Sequence, residues 1–243
     1  MPGTQTQSTA HPCCAIEHTE TVENYLKAIF ALSARGEPAS TSAIAERLGV
    51  AAASVSAMLG RLRECDLIEQ ATWGHVRLTA HGQAHARRVV RRHRLLETFL
   101  HRVLGLGWDE IHAEAEVLEH RLSENLEDLI DAALDFPDRD PHGDPIPTKH
   151  GVHLESEERP LDSAVTGERF LVQRVSDRDS AALRRLAGLG IGPGVELDIE
   201  ERLAGTRSLW VRNRGRRQAL SATLVGIIRG QIVPATDSSR VSS

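Results

Sequence analysis

The densest collection of metal-competent side chains in the sequence lies between Arg91 and His120. In Ile111-His112-Ala113-Glu114-Ala115-Glu116-Val117-Leu118-Glu119-His120, a helix advancing about 100° per residue sets His112, Glu116, Glu119 and His120 within a sector of roughly 100°. The neighbouring face carries Ile111, Ala115, Leu118, Leu122 and Leu129, an apolar stripe expected to pack on other helices and hold the acidic face beside a protein wall. Upstream, Arg91-Arg92-His93-Arg94-Leu95-Leu96-Glu97 offers a second i, i+4 pair, His93 and Glu97, on a helix separated from the first near Gly105-Leu106-Gly107. Two antiparallel helices would oppose these faces. Neutral imidazole with carboxylate oxygen suits Mn, Fe, Co, Ni or Zn, and the absence of cysteine from the cluster argues against a structural zinc site. The competing reading is a solvated acidic helix with i, i+4 ion pairs; three histidines and three glutamates in register favour metal.

A metal cluster needs a scaffold, and 243 residues suit one to two domains with a real core. Hydrophobic content of 40% and charged content of 26% are those of a globular chain, with no apolar run of membrane-spanning length. The first sixteen residues are polar and lack the apolar centre of a signal peptide, so a cytoplasmic protein without a membrane partner is expected. Cys13, Cys14 and Cys65 form no C-x-x-C pair, which fits a reducing compartment. The net charge of −5 hides an uneven distribution: +3 over residues 1–95, −12 over 96–160 and +4 over 161–243. A polyanion-binding module followed by a cation-binding one accounts for that change of sign.

In chain order, residues 1–16 read as a disordered tail. Val22, Tyr25, Leu26, Ile29, Phe30 and Leu32 then mark a first helix ending toward Gly36-Glu37-Pro38 and placing Asn24 away from part of its apolar stripe. Ser40-Thr41-Ser42 caps a second helix that stops at Gly49, and a third runs from Ala51 to Arg63; this short glycine turn is the helix-turn-helix layout. Small residues at the start of the third helix, Ala51, Ala53, Ser54, Ser56 and Ala57, would let it sit deep in a major groove. Two short alternating strands flank Thr72-Trp73-Gly74 and make a wing, on which Arg77 joins Arg61 as a candidate phosphate contact. Any three-helix bundle shares the helical pattern; the hairpin favours a winged helix.

The segment Phe136 to Pro147 is too rich in proline and aspartate to be helical, and its His142 and Asp144 read as turn residues bonded to backbone rather than as ligands. From Gly167 short strands around Phe170-Leu171-Val172, Val195 to Ile199 and Ser208 to Val211, with one helical turn at Leu183-Arg184-Arg185-Leu186, indicate a small SH3-like barrel. The expected architecture is mainly α: tail 1–16, winged helix-turn-helix 17–80, helical metal-binding and dimerisation domain 81–149, linker 150–166 and barrel 167–235.

This order, with Arg92-His93-Arg94-Leu95-Leu96-Glu97, Trp108-Asp109-Glu110, Glu114-Ala115-Glu116-Val117-Leu118-Glu119-His120 and Asp140-Pro141-His142-Gly143-Asp144-Pro145-Ile146-Pro147, resembles the diphtheria toxin repressor family, and within it the actinobacterial manganese-dependent regulators. The resemblance spans about residues 20–235. It implies a primary metal site at Asn24, Glu116, Glu119 and His120, an ancillary site at His93, Glu97 and His112 to which Asp177 of the FeoA-like barrel lends a ligand, and metal-driven ordering of the first helix. Glu116 stands where the iron-dependent members have a cysteine, and the harder oxygen favours Mn(II) over Fe(II). Asn24 replaces the usual carboxylate or thioether, and Lys27 stands where some manganese regulators have a second carboxylate.

The function expected is that of a metal-dependent repressor, not an enzyme, which binds palindromic double-stranded operator DNA as a homodimer and controls metal-uptake genes. Mn(II) is the expected cofactor, with Fe(II) as the alternative and Co(II), Ni(II) or Zn(II) as substitutes in vitro. A metallohydrolase would need an open coordination position and a spare base, which the donor set lacks. An adaptor or metal-storage protein, whose winged helix binds another protein, is the remaining alternative.

Overall fold

The computed structural model describes residues 19–149 and 158–234, so the tail 1–16 and most of the amino-terminal half of the expected linker lie outside the described residues. After Arg92 the chain divides into two compact units, and a short return at Pro147 belongs to the first.

In the first unit, helix α1 (Glu20–Ser33) starts at Thr19, whose side chain accepts from the Val22 amide, and Glu20 and Glu23 lie in its first turn, where the helix dipole favours carboxylates. Its buried positions Val22, Tyr25, Leu26, Ile29 and Leu32 follow the helical period. Helix α2 (Thr41–Leu48) is capped by Ser40 and closed by Gly49 at φ 65°, a left-handed turn into α3 (Ala52–Glu64). Ile44, Val55, Leu59 and Leu62 interlock with the α1 stripe in one core, which also buries the free Cys65. Strands β1 (Ile68–Gln70) and β2 (Val76–Leu78) pair antiparallel, Ile68 opposite Leu78. Trp73 and Gly74 at their tip have φ of 61° and 78°, the sign needed for a tight turn matching strand twist. The hairpin is braced to the end of α3, since Arg63 donates to Gln70 Oε1 (3.0 Å) and Gln70 donates to the His75 carbonyl (3.0 Å). This is a winged helix.

Helix α4 (Ala80–Arg102) carries the chain into the second unit, where α5 (Ile111–Leu118), a 3-10 turn at Glu119–Arg121 and α6 (Glu124–Ala133) follow. Glu119 and His120 therefore lie on the 3-10 turn, not on one continuous helix with His112. Ser123 caps α6 through the Leu126 amide and restarts the helix with a shifted phase. That shift splits the expected apolar stripe. Ile111, Ala115 and Leu122 are buried with Leu95, Leu96 and Leu100, whereas Leu118 and Leu129 are 43% and 59% exposed.

The remaining strands form one antiparallel sheet in the order β3 (Arg159–Pro160), β8 (Ile228–Val233), β4 (Arg169–Val175), β5 (Glu196–Arg202), β6 (Leu209–Asn213) and β7 (Arg216–Leu220). Pairing of β3 with β8 brings Arg159 into the sheet, so residues 159–166, expected to be linker, are part of this domain. Helix α7 (Ser180–Leu189), capped by Asp179, is longer than the single turn expected, and α8 (Ala222–Gly226) precedes β8. Phe170, Val172, Leu183, Leu186, Leu197 and Val211 fill the core. Among the described residues no single helix is long and apolar enough to cross a membrane.

Candidate metal centre and DNA-binding surface

Four donors in the second unit converge. His93 Nε2 lies 2.9 Å from Glu97 Oε1, His112 Nδ1 lies 3.1 Å from the same oxygen and 3.2 Å from Asp177 Oδ2, and the two ring nitrogens are 3.1 Å apart. Their donor atoms all fall within 4.8 Å of one another. Helix α4 supplies His93 and Glu97 one turn apart, α5 supplies His112, and the loop after β4 delivers Asp177. Two imidazole nitrogens and a carboxylate crowded about one buried oxygen leave only protons to share between them, an arrangement that fits a divalent cation.

The electrostatics follow from the packing. Burial alone would raise the Glu97 pKa, but the charge of His93 and hydrogen bonds from His112, His142 and His93 hold it well below the usual carboxylate range. Burial pulls His112 down while Asp177 and Glu97 pull it up more strongly, to about 10. Asp177 is lowered because His112 overcomes its burial.

A second group adjoins the first through His93, whose Nδ1 sits 2.5 Å from Glu119 Oε2. Glu119 is fully buried, with His120 Nε2 3.4 Å from its other oxygen. Glu116, Glu119 and His93 offer donor atoms within 4.8 Å, and Glu116 Oε1 is 3.6 Å from His112 Nε2. Of the residues assigned to the primary site, the second unit thus gathers Glu116, Glu119 and His120. Asn24 belongs to the first unit; its Oδ1 is buried with no hydrogen-bond partner, and Lys27, one turn on, is half-buried.

Sequence reasoning missed His142. Asp140 behaves as the turn chemistry expects, its Oδ1 accepting from the amides of His142 and Asp144 (both 2.9 Å). The His142 ring does bond backbone, 2.7 Å from the Trp108 carbonyl, yet it is fully buried and its Nδ1 lies 3.8 Å from Glu97 Oε2. Burial lowers its pKa, and Glu97 more than compensates, raising it to about 9. Asp144, the other turn residue, is an ion-pair partner of Arg94 and Arg174 at 3.2 Å each.

On the winged helix, Ala51, Ala53, Ser54, Ser56, Ala57, Arg61 and Arg77 are all exposed, Ala51 as the cap of α3 rather than within it. Two of them are already engaged. Ser56 Oγ donates to its own helix at Ala52 (3.1 Å), and Arg77 Nε pairs with Glu69 Oε1 at 2.7 Å on the hairpin.

A winged helix followed by a buried His/carboxylate cluster on paired helices defines a DNA-binding protein governed by metal. The family models agree: residues 17–76 match the iron dependent repressor N-terminal DNA binding domain, 79–148 the iron dependent repressor metal binding and dimerisation domain, and 159–231 the FeoA domain. The iron-dependent repressor IdeR of Mycobacterium leprae is 34% identical over 199 residues, covering 76% of this chain and 86% of that protein. The diphtheria toxin repressor of Corynebacterium efficiens is 30% identical over 195 residues, 75% of this chain and 84% of that one. A solved manganese-dependent transcriptional repressor in complex with manganese is 39% identical with a TM-score of 0.80, covering 87% of this chain and 99% of its own. The manganese regulator SloR is 33% identical with a TM-score of 0.73, covering 87% and 98%. The chain belongs to the iron-dependent, or diphtheria toxin, repressor family, and is a metal-dependent transcriptional repressor rather than an enzyme.

Proposed function

We propose that this chain is a manganese-responsive repressor that, with Mn(II) bound, grips palindromic operator DNA as a homodimer and silences metal-uptake genes in the cytoplasm. The observation carrying the metal assignment is the donor chemistry around Glu119: Glu116 contributes oxygen where iron-dependent members have a thiolate, and every other donor is carboxylate, amide or imidazole. Asn24, Glu116, Glu119 and His120 form the primary site in this reading, and His93, Glu97, His112 and Asp177 the ancillary one. The orphaned Oδ1 of Asn24 supports its role as a donor.

Metal would favour the conformer in which the first helix and the 3-10 turn share a ligand sphere, and so fix the presentation of two α3 helices to successive half-sites. Val117, Leu118, Leu126 and Leu129, exposed on α5 and α6, supply an apolar surface for a second copy. Ala51, Ala53, Ser54, Ser56 and Ala57 would enter the major groove, with Arg61 and Arg77 at phosphates.

The test titrates Mn(II), Fe(II), Co(II) and Zn(II) into the protein while following binding to genomic DNA fragments. Activation is the readout, because imidazole and oxygen sites hold later divalent metals more tightly than Mn(II) whatever their biological partner. Manganese should activate at the free concentration found in cells; Fe(II) activating better at matched free concentration would overturn the manganese assignment and leave the iron reading.

A further inference from the structure

His142 touches the segments that deliver three of the four ancillary donors. Its Nε2 lies 2.7 Å from the carbonyl of Trp108, which leads into α5 and His112. Its own carbonyl accepts from the Val175 amide at 2.9 Å, two residues before Asp177. Its Nδ1, buried and without a hydrogen-bond partner, faces Glu97 Oε2 at 3.8 Å. The carbonyl of Trp108 can only accept, so Nε2 carries a hydrogen and the ring orientation is fixed. The Trp108 indole stacks on the imidazole, with ring centres 5.7 Å apart and planes inclined by 26°.

The loop bearing this ring is itself fixed. A Cβ on Gly143, whose φ is +90°, would fall 1.9 Å from the Gln173 carbonyl, so the chain passes flush against β4 at that point. Arg94, between His93 and Glu97 on α4, reaches Asp144 Oδ1 at 3.2 Å, and Arg174 of β4 reaches the same oxygen at 3.2 Å. The two oxygens of Glu97 are thereby divided: Oε1 faces His93 and His112, and Oε2 faces His142.

We propose that His142 is a positioning residue of the ancillary site, a strut that turns Glu97 Oε1 toward the metal and sets His112 and Asp177 at a fixed distance from it. Its ring is not a ligand. This rests on the ancillary site proposed above. Partners of this kind, which hold a ligand by its second polar atom, typically alter metal affinity 10–100-fold when removed.

The experiment is Mn(II) titration of the full-length protein, by calorimetry and by electron paramagnetic resonance of free Mn(II), for wild type, His142→Ala, His142→Gln and Glu97→Ala. His142→Ala should weaken one of two equivalents at least tenfold and leave the other unchanged, a split that general loosening of the fold would not produce. His142→Gln, which retains a donor for the Trp108 carbonyl, should recover part of that loss. Should His142→Ala fail to fold, His142→Gln decides alone: its weaker equivalent must fall between that of wild type and that of Glu97→Ala. Wild-type affinity for both equivalents in the folded His142 variants, with one equivalent lost in Glu97→Ala, overturns the strut and spares the ancillary site. Two unchanged equivalents in Glu97→Ala overturn the site itself.

Discussion

His93 and Glu119 meet through a 2.5 Å contact, Nδ1 to Oε2, while the other nitrogen of the same ring lies 2.9 Å from Glu97 Oε1. One imidazole therefore separates two carboxylates that are 1% and 0% exposed, one from each proposed metal site. The tautomer of this ring couples them, because a metal taking Nε2 leaves the ring hydrogen on Nδ1, pointing at Glu119.

His93→Ala should accordingly weaken both Mn(II) equivalents, whereas His112→Ala should weaken only one. It also leaves Glu119 and Glu97 buried without this partner, at a cost of about 1–3 kcal/mol in the metal-free protein. Calorimetric titration and thermal unfolding of the two variants check both statements; a single weakened equivalent in His93→Ala would show that the sites are independent.

Metal must displace protons. In the metal-free protein His112 is raised from 6.5 to about 10 by Asp177 and Glu97 against the opposing effect of burial, so at neutral pH its ring is charged and cannot donate a lone pair. Ancillary-site affinity should rise with pH below about 10, up to tenfold per unit, and binding at pH 7 should release about one proton from this ring. The sign for folding is the reverse: the raised pKa contributes stability that is complete below pH 6.5 and lost as the pH climbs through about 10. Calorimetry in buffers of differing ionisation enthalpy counts the protons; none released would contradict a charged His112.

The sequence made the local elements legible where caps and period coincide. Thr19, Ser40 and Asp179 each precede a helical apolar pattern, and each caps a helix. Ser123 is also a cap, and its effect went unread: by restarting the helix it shifted the phase, placing Glu119 on a 3-10 turn and Leu129 outside the protomer's core. The pairs His93/Glu97 and His112/Glu116 were visible because one helical turn separates their members. The contacts of His142 with Glu97, and of His112 with Asp177, join residues far apart in the chain, and no periodicity encodes them. The first was dismissed as turn chemistry, which is half correct, since one ring nitrogen does bond backbone. The second came only from resemblance.

On α3 the hydroxyls of Ser54 and Ser56 should differ in their effect on DNA. Ser56 Oγ is bonded to the Ala52 carbonyl of its own helix, so Ser56→Ala should leave operator discrimination within about twofold of wild type. Ser54→Ala should relax discrimination at one base position if its exposed hydroxyl reaches a base edge. Arg61→Ala, in contrast, should weaken binding to all sequences and lower the salt slope by about 1. Selection from randomised operators, with affinities measured at several salt concentrations, separates the three; a sequence-selective effect of Arg61→Ala would move it from phosphate to base.

Asn24 tests the link between metal and the first helix. Its Oδ1 is buried and unpartnered, a state that costs stability unless something electropositive completes it when the protein is active. An amide oxygen carries no net charge, so relative to aspartate the primary site lacks one negative charge and should hold Mn(II) less tightly. Asn24→Asp should then lower the Mn(II) concentration for half-maximal operator binding about tenfold and destabilise the metal-free protein, where the new carboxylate would be buried without a counter-charge except for what Lys27, one turn away, provides. Asn24→Ala removes the donor and should raise the same concentration while relieving the orphaned oxygen, so the metal-free protein should melt no lower than wild type. Manganese-dependent operator binding together with metal-free unfolding of the two variants gives opposite signs for a ligand. Half-activation unchanged in both would remove Asn24 from the sphere.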